Sequence, residues 1–274
     1  MNIFLILLFL HIGGIGYDIF ELAGSARAKG MGDAFLSMND DPSLIFYNPA
    51  GLLSINKIKI LYMHSELSFE SYFDNISVSR KGIGFAYLRL VSSDIPIIIS
   101  KDTNIIDSTN IYIEKTKYIS QAFYLSTGFS LKIINFGISA KFIENKTKFF
   151  YEKKFLYDIG TFKNIKKINF AFVLRDIEFE KNKMSFIEGG LSLFPFDDLL
   201  ISFTVQRIFE KDIYSIKGGV EFKFSDYLLL RAGLNEDEFS LGTGFFKNFM
   251  EVDYAFIIHS ELPSSHRISI QFSF

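Results

Sequence analysis

Beyond about residue 55 this chain repeats one pattern, an apolar side chain at every second position, and no other feature constrains its fold as much. The last segment is the cleanest case. Ile268, Ile270, Phe272 and Phe274 share one face of an extended chain, while Arg267, Ser269, Gln271 and Ser273 share the other. Likewise Ile168, Phe170, Phe172 and Leu174 alternate with Asn169, Ala171, Val173 and Arg175. Ile216, Gly218, Val220, Phe222 and Phe224 alternate with Ser215, Lys217, Gly219, Glu221 and Lys223. Turn-forming residues separate such stretches, among them Lys163-Asn164, Asp197-Asp198, Ser225-Asp226 and Lys247-Asn248. From residue 56 to 274 there is room for roughly 14 antiparallel strands at about 16 residues per strand and connection. The longest interruption, 92–117, reads as a loop or one more short strand around Ile95-Pro96-Ile97-Ile98-Ile99.

Composition agrees with many short amphipathic strands. Hydrophobic residues make up 49% of the 274 residues, with 33 Phe, 13 Tyr and no Trp, which is too apolar for a disordered chain. Yet after the first twenty residues no run approaches the ~20 apolar residues of a spanning helix. Lys and Arg number 29 against 31 Asp and Glu, so the basic excess of a nucleic-acid binder is absent. With no cysteine, disulfides, thiolate metal sites, cysteine nucleophiles and lipid attachment at an N-terminal Cys are excluded.

The first residues, MNIFLILLFL, fade through His11 and Ile12 into Gly13-Gly14-Ile15-Gly16. Length and small residues fit an export signal over 1–16, cut before Tyr17, although its start carries no Lys or Arg. A buried N-terminal strand or helix is the alternative.

Alternation by itself admits two architectures. In a soluble sheet the apolar face is the core and the polar face meets water. In a membrane barrel the apolar face meets lipid and the small and polar face lines the interior. The inner face of such a barrel would carry Gly137, Ser139, Gly160, Gly190, Gly219, Gly233, Gly242 and Gly244, together with Lys141, Asp158, Arg175, Lys217, Glu221, Lys223, Arg231, Glu251, Asp253 and Arg267. Across the Ser225-Asp226 turn, Glu221 and Arg231 fall in register to pair. Export, and an end on an aromatic residue closing an amphipathic strand, favour the barrel over 56–274. Ile268, Ile270, Phe272 and Phe274 then form its assembly signal.

Residues 24–52 read GSARAKGMGDAFLSMNDDPSLIFYNPAGL. This resembles the N-terminal signature of the PorV/PorQ group within the FadL-like barrel class. The matching positions are Ala26, Arg27, Gly30, Met31, Gly32, Ala34, Phe35, Asp40, Asp41, Tyr47, Asn48, Pro49, Ala50, Gly51 and Leu52, with Tyr47 where that group often has Trp. Weaker likeness continues through Asp158-Ile159-Gly160, Arg231-Ala232-Gly233 and Val252-Asp253-Tyr254-Ala255. The resemblance implies a closed, all-β, antiparallel barrel of about 14 strands. Residues 17–55 would fold into its lumen as a plug, and the outer membrane of a Gram-negative-type bacterium would be its location. In the residues, Asp33 to Met38 could form a short helix or strand, while Asp41-Pro42 and Asn48-Pro49 break regular structure.

Chemistry is not evident. The histidines at 11, 64, 259 and 266 lack metal-ligand spacing, and Gly30-x-Gly32 has Phe35 where a dinucleotide fingerprint needs a third Gly. Asp40-Asp41 and Asp197-Asp198 read as solvated turn carboxylates, with calcium binding the minor alternative. No enzyme, metal or cofactor is expected. The implied partners are outer-membrane lipid and the barrel-assembly machinery. The main functional expectation is an accessory or shuttle barrel for protein cargo of a type IX-like secretion route. Passive uptake of fatty acids or other hydrophobic molecules is the alternative, and a structural or assembly barrel the third reading. An apolar pocket between plug and wall would favour uptake; a charge-filled lumen would not.

Overall fold

The computed structural model describes residues 4–6, 19–67, 70–100, 111–181, 183–209, 212–236, 238–260 and 263–274. Of the expected export segment, only β1 (Phe4–Ile6) is among them, antiparallel to Ile98–Ser100; the rest of 1–16 lies outside the described residues.

Fourteen antiparallel strands then follow in chain order, each paired with its sequence neighbours. They are β2 (Lys59–Leu67), β3 (Ser71–Arg80), β4 (Ile83–Ser100), β5 (Ile111–Leu131), β6 (Ile134–Lys146), β7 (Tyr151–Ile165) and β8 (Ile168–Ile177). The second half comprises β9 (Phe186–Phe196), β10 (Leu199–Ile208), β11 (Ile213–Lys223), β12 (Leu228–Asn235), β13 (Glu238–Lys247), β14 (Met250–His259) and β15 (Ser265–Ser273). The sheet closes because β15 pairs with β2 from His266↔Glu66 to Ser273↔Lys59. Closure satisfies the backbone groups that an open edge would leave bare in lipid.

The alternation read from the sequence sorts residues by side. Phe170 and Phe172 are 44% and 46% exposed on the outer face, while Asn169 and Val173 beside them are buried. Ile268 and Phe274 also face outward, and Phe274 stacks with Phe249 and Phe272 at 6.0 and 6.4 Å. An apolar exterior over a closed wall is the reverse of a soluble sheet.

Of the two readings of the interruption at 92–117, the structure has strand, though as an extension of its neighbours. After a register shift between Ser92 and Ile95, β4 and β5 stay paired out to Ser100↔Ile111, beyond the ends of β3 and β6, and 101–110 lie outside the described residues. The isoleucine-rich, β-branched sequence sustains this ribbon, and Pro96 is accommodated where neither β3 nor β6 pairs. The turn expected at Lys163-Asn164 instead falls at Lys166-Lys167, with Lys166 at φ 55°. Lys81, Lys132, Lys166 and Asn248 all adopt positive φ in tight turns at one rim of the barrel; this is the rim that also carries Lys59 and Phe274.

Residues 19–55 lie against the inward faces of the strands. They contain α1 (Ile19–Leu22), α2 (Ala26–Gly30), α3 (Leu44–Tyr47) and a 3-10 turn at Pro49–Ser54. Ser25 caps α2 by accepting from Ala28 N, and Asn48 caps the 3-10 turn by accepting from Ala50 N at 3.1 Å. Residues 33–38 form turns, not the expected helix or strand. Asp33 takes φ 59°, and two turns fit the narrow space between β9 and the rest of the segment where a regular element would not.

Candidate functional site

The lumen has an apolar side and a charged side. Leu61, Met63, Phe73, Leu88, Leu90, Tyr124 and Val173 project inward from β2, β3, β4, β5 and β8. Against them pack Ile19, Phe20, Phe35, Leu44, Ile45 and Phe46; Tyr124 meets Phe20 and Phe46 edge-on at 5.7 and 5.4 Å. The segment thus fills the space beside these inward apolar side chains.

Wall glycines permit this approach. A Cβ on Gly233 would collide with Gly32 N, one on Gly219 with Met31 O, and one on Gly137 with Ala50 N. Gly32 itself has φ 61° and no room beside Leu234, so segment and wall both need glycine where they cross. Gly30 faces Gly242 in the same way, and Gly51 lies under Leu44. Asn48 ties the segment to β7 by donating to Thr161 O at 3.0 Å, and Pro49 opens the 3-10 turn that leads to β2.

On the charged side Arg27 donates twice to Glu221, at 2.8 and 2.6 Å, and once to Asp41 at 3.1 Å. Arg231, fully buried on β12, reaches Glu221 at 2.6 Å, Asp253 at 2.6 Å and Glu251 at 3.3 Å. Glu221 and Arg231 are direct cross-strand partners. One carboxylate therefore joins the segment to the wall. Ser269 on β15 accepts from Ala26 N at 3.1 Å. Arg27 is held protonated well beyond its ordinary value: burial opposes its charge, but Glu221 and Asp41 outweigh that cost.

A second cluster lies across β6 to β9. Lys141 pairs with Asp158 at 2.6 Å and with Asp176, while Arg175 pairs with Glu188 at 3.0 Å. Lys141 Nζ also lies 4.6 Å over the Phe20 ring, touching the segment.

The acidic pair expected to be solvated is split. Asp40, at φ 54°, is exposed and pairs with Lys59 at 3.0 Å at the tight-turn rim. Asp41 is buried, its carboxylate shared by Arg27, Ser43 N and Ser43 Oγ. Asp41, just before Pro42, is turned inward, where Arg27 compensates its burial. Sequence reasoning gave no role to Lys29 or Asp33 and noted Tyr47 only as a motif position. Lys29 pairs with Asp33 at 2.9 Å and the Tyr47 hydroxyl donates to Asp33 at 2.6 Å. Burial alone would raise the Asp33 pKa, yet Lys29, Lys217 and Tyr47 hold it below the ordinary carboxylate value. Burial, with Asp33 beside it, pushes the Tyr47 phenol well up.

Toward the rim opposite the tight turns these groups line a cavity of about 230 Å³. Phe20, Leu22, Phe186, Ile213 and Ile257 share its wall with Lys29, Asp33, Arg175, Lys217 and Arg267. Its lining is mixed. Among the described residues no cluster of three or more His, Asp or Glu is arranged to hold a metal ion, and no helix is long and apolar enough to cross a membrane.

No protein-family model matches the chain, and no curated protein matches it in sequence. Solved structures do. The Pseudomonas putida toluene transporter TodX has a TM-score of 0.66 at 11% identity, covering 94% of this chain and 99% of that one. A deltaS2S3 mutant of TodX, described as a monoaromatic hydrocarbon channel, has a TM-score of 0.68 at 9% identity, covering 96% of this chain and 99% of that one. The likeness extends over nearly the whole of both chains, and the fold of this protein is a FadL-like, closed, 14-stranded antiparallel barrel.

Proposed function

We propose that this protein sits in the outer membrane of a Gram-negative-type bacterium and admits small hydrophobic molecules passively, with residues 19–55 acting as a movable plug. The observation that carries the reading is the apolar side of the lumen, filled by Phe20, Phe35, Leu44 and Phe46 inside a barrel shaped like a toluene transporter. Phe20 and Leu22 line the rim cavity, together with charged groups, and join it to the apolar filling. A hydrophobic molecule could advance by replacing their contacts with its own, at little net cost in buried apolar area. The charged side keeps the segment tethered through Arg27 meanwhile. The apolar filling favours uptake and the charged networks oppose it; the two meet where Lys141 lies over Phe20 and Arg27 over Phe35, so these cations border the path of any apolar molecule.

The test is uptake by cells lacking their own hydrocarbon channels, with and without this protein in the outer membrane. A radiolabelled monoaromatic hydrocarbon should enter faster when the protein is present, and a sugar of similar size should not. Equal hydrocarbon entry, or entry of the sugar, would overturn the proposal.

A second reading, an accessory barrel of a type IX-like secretion route, is favoured by the 24–52 motif and its likeness to the PorV/PorQ group. Its difficulty is surface: β6 to β7 and β10 to β11 are joined by only a few residues at the rim opposite the tight turns, and the β4–β5 ribbon is the main projection. Recovery of secreted proteins with the purified barrel, and no hydrocarbon uptake, would decide for it.

A further inference from the structure

The outward faces of β2 to β7 carry an organisation that uptake does not use. Strand register aligns His64, Asp74, Arg89, Gln121, Glu144 and Lys153 in one row across six strands. The next outward row, one step nearer the tight-turn rim, is Tyr62, Ile76, Tyr87, Phe123, Phe142 and Phe155. A polar row thus borders a row that is aromatic except for Ile76, a step of the kind found at the edge of a membrane's hydrocarbon, while the row on its other side mixes Tyr72, Val91 and Ile119 with Glu66 and Lys146. Below that level an open apolar groove of about 510 Å³ runs between Ile76, Val78, Phe85, Phe123, Leu125 and Phe155. Tyr87 and Phe123 pack at 5.0 Å within it.

Charges in the upper row are unevenly satisfied. Asp74 stands opposite Arg89 in the ladder. Its carboxylate nevertheless takes the Tyr62 hydroxyl at 2.7 Å and His64 Nδ1 at 2.8 Å. Lys153 leans toward Glu144 at 3.9 Å. Arg89 Nε is shielded from solvent and has no hydrogen-bond partner. A guanidinium on a lipid-facing strand needs an anion, and its fork suits phosphate.

We propose that Arg89, with Gln121 beside it, binds the phosphate of a diacyl phospholipid, whose acyl chain lies along the groove below. The proposal rests on the membrane-spanning part of the functional reading and is independent of uptake. The phosphate supplies the anion that Asp74 withholds, and the chain covers apolar side chains that water would otherwise reach.

The experiment is native mass spectrometry of the full-length, folded barrel in detergent, folding being scored first by heat-modifiable migration. Three probes are added separately: dimyristoylphosphatidylglycerol, dimyristoylglycerol and inorganic phosphate. Wild type should retain the phosphatidylglycerol, Arg89→Gln should retain it about tenfold less, Arg89→Lys should restore part of the loss, and Phe123→Ser should weaken it with the guanidinium intact. Retention unchanged by Arg89→Gln, or equal retention of dimyristoylglycerol, would overturn the proposal. Displacement of the lipid by millimolar inorganic phosphate would reduce the site to a free-anion site and overturn it also. Hydrocarbon uptake by Arg89→Gln should match wild type, so loss of lipid and loss of transport are read separately. A chain that never becomes heat-modifiable would instead overturn the membrane reading.

Discussion

Arg27 holds Glu221 at two points, 2.8 and 2.6 Å, across 194 positions of sequence. The same carboxylate accepts from Arg231 at 2.6 Å, so the N-terminal segment is fastened to a wall charge that is already compensated. Replacing Arg27 with Ala therefore leaves Glu221 with Arg231 but strands the buried carboxylate of Asp41, which Arg27 alone compensates among the described residues. The expected loss is about 3–5 kcal/mol, the range for removing one partner of a buried ion pair. Hydrogen exchange should speed up in residues 19–55 while strand amides keep their protection; uniform exchange throughout would count against the tether.

Crowding between segment and wall predicts a contrast among glycines. Gly233→Ala would drive a methyl into Gly32 N, whereas a methyl on Gly189 would meet nothing within 4 Å. Gly233→Ala should fold a barrel whose segment is open to added protease, and Gly189→Ala should behave as wild type. Equal resistance in both would mean that the segment does not sit where the structure has it.

Acid should release the segment. Asp33 has a folded pKa below its ordinary value of about 3.9, so its contribution is complete above about pH 4 and is lost as pH falls through the lowered value. Proteolytic access to residues 19–55, followed with an acid-active protease, should rise in that range, and Asp33→Asn should abolish the step while weakening the segment at neutral pH. An unchanged acid profile in Asp33→Asn would assign the transition to other carboxylates.

Lipid contact is tested by charge. Phe170→Arg or Phe222→Arg should cost about 2–4 kcal/mol of folding stability in bilayers where these positions lie near the midplane. A negligible loss at both would mean that the outer face does not meet hydrocarbon there.

Removing Phe274 takes away the backbone pair with Ile58, in which Ile58 N donates to Phe274 O at 3.1 Å and Phe274 N to Ile58 O at 2.9 Å. Its ring stack with Phe249 goes too. Folded, heat-modifiable protein in the outer membrane should fall; an undiminished yield would remove the last residue from the assembly signal.

The barrel was legible because side-chain period, strand length and turn residues all repeat in the chain, and Phe170 or Ile268 needs no distant partner to declare its face. Register also allowed Glu221 and Arg231 to be matched, since only a tight turn separates their strands. What stayed hidden depends on contacts between segments far apart. Asp41 looks like any turn carboxylate until Arg27 is brought over it, and Lys29, Asp33 and Tyr47 have ordinary spacings that gain meaning only in the closed lumen. The β4–β5 ribbon read only as a loop or a short strand because it outruns its neighbours, so its sequence lacks a clean inside-outside alternation.

The hydrogen bond from Ala26 N to Ser269 Oγ spans 243 positions and reaches the strand that seals the cylinder. Donor and acceptor stand near opposite ends of the sequence, so this contact can form only once the last strand has been made. A chain cut short of Ser269 would keep its N-terminal segment and lack that anchor.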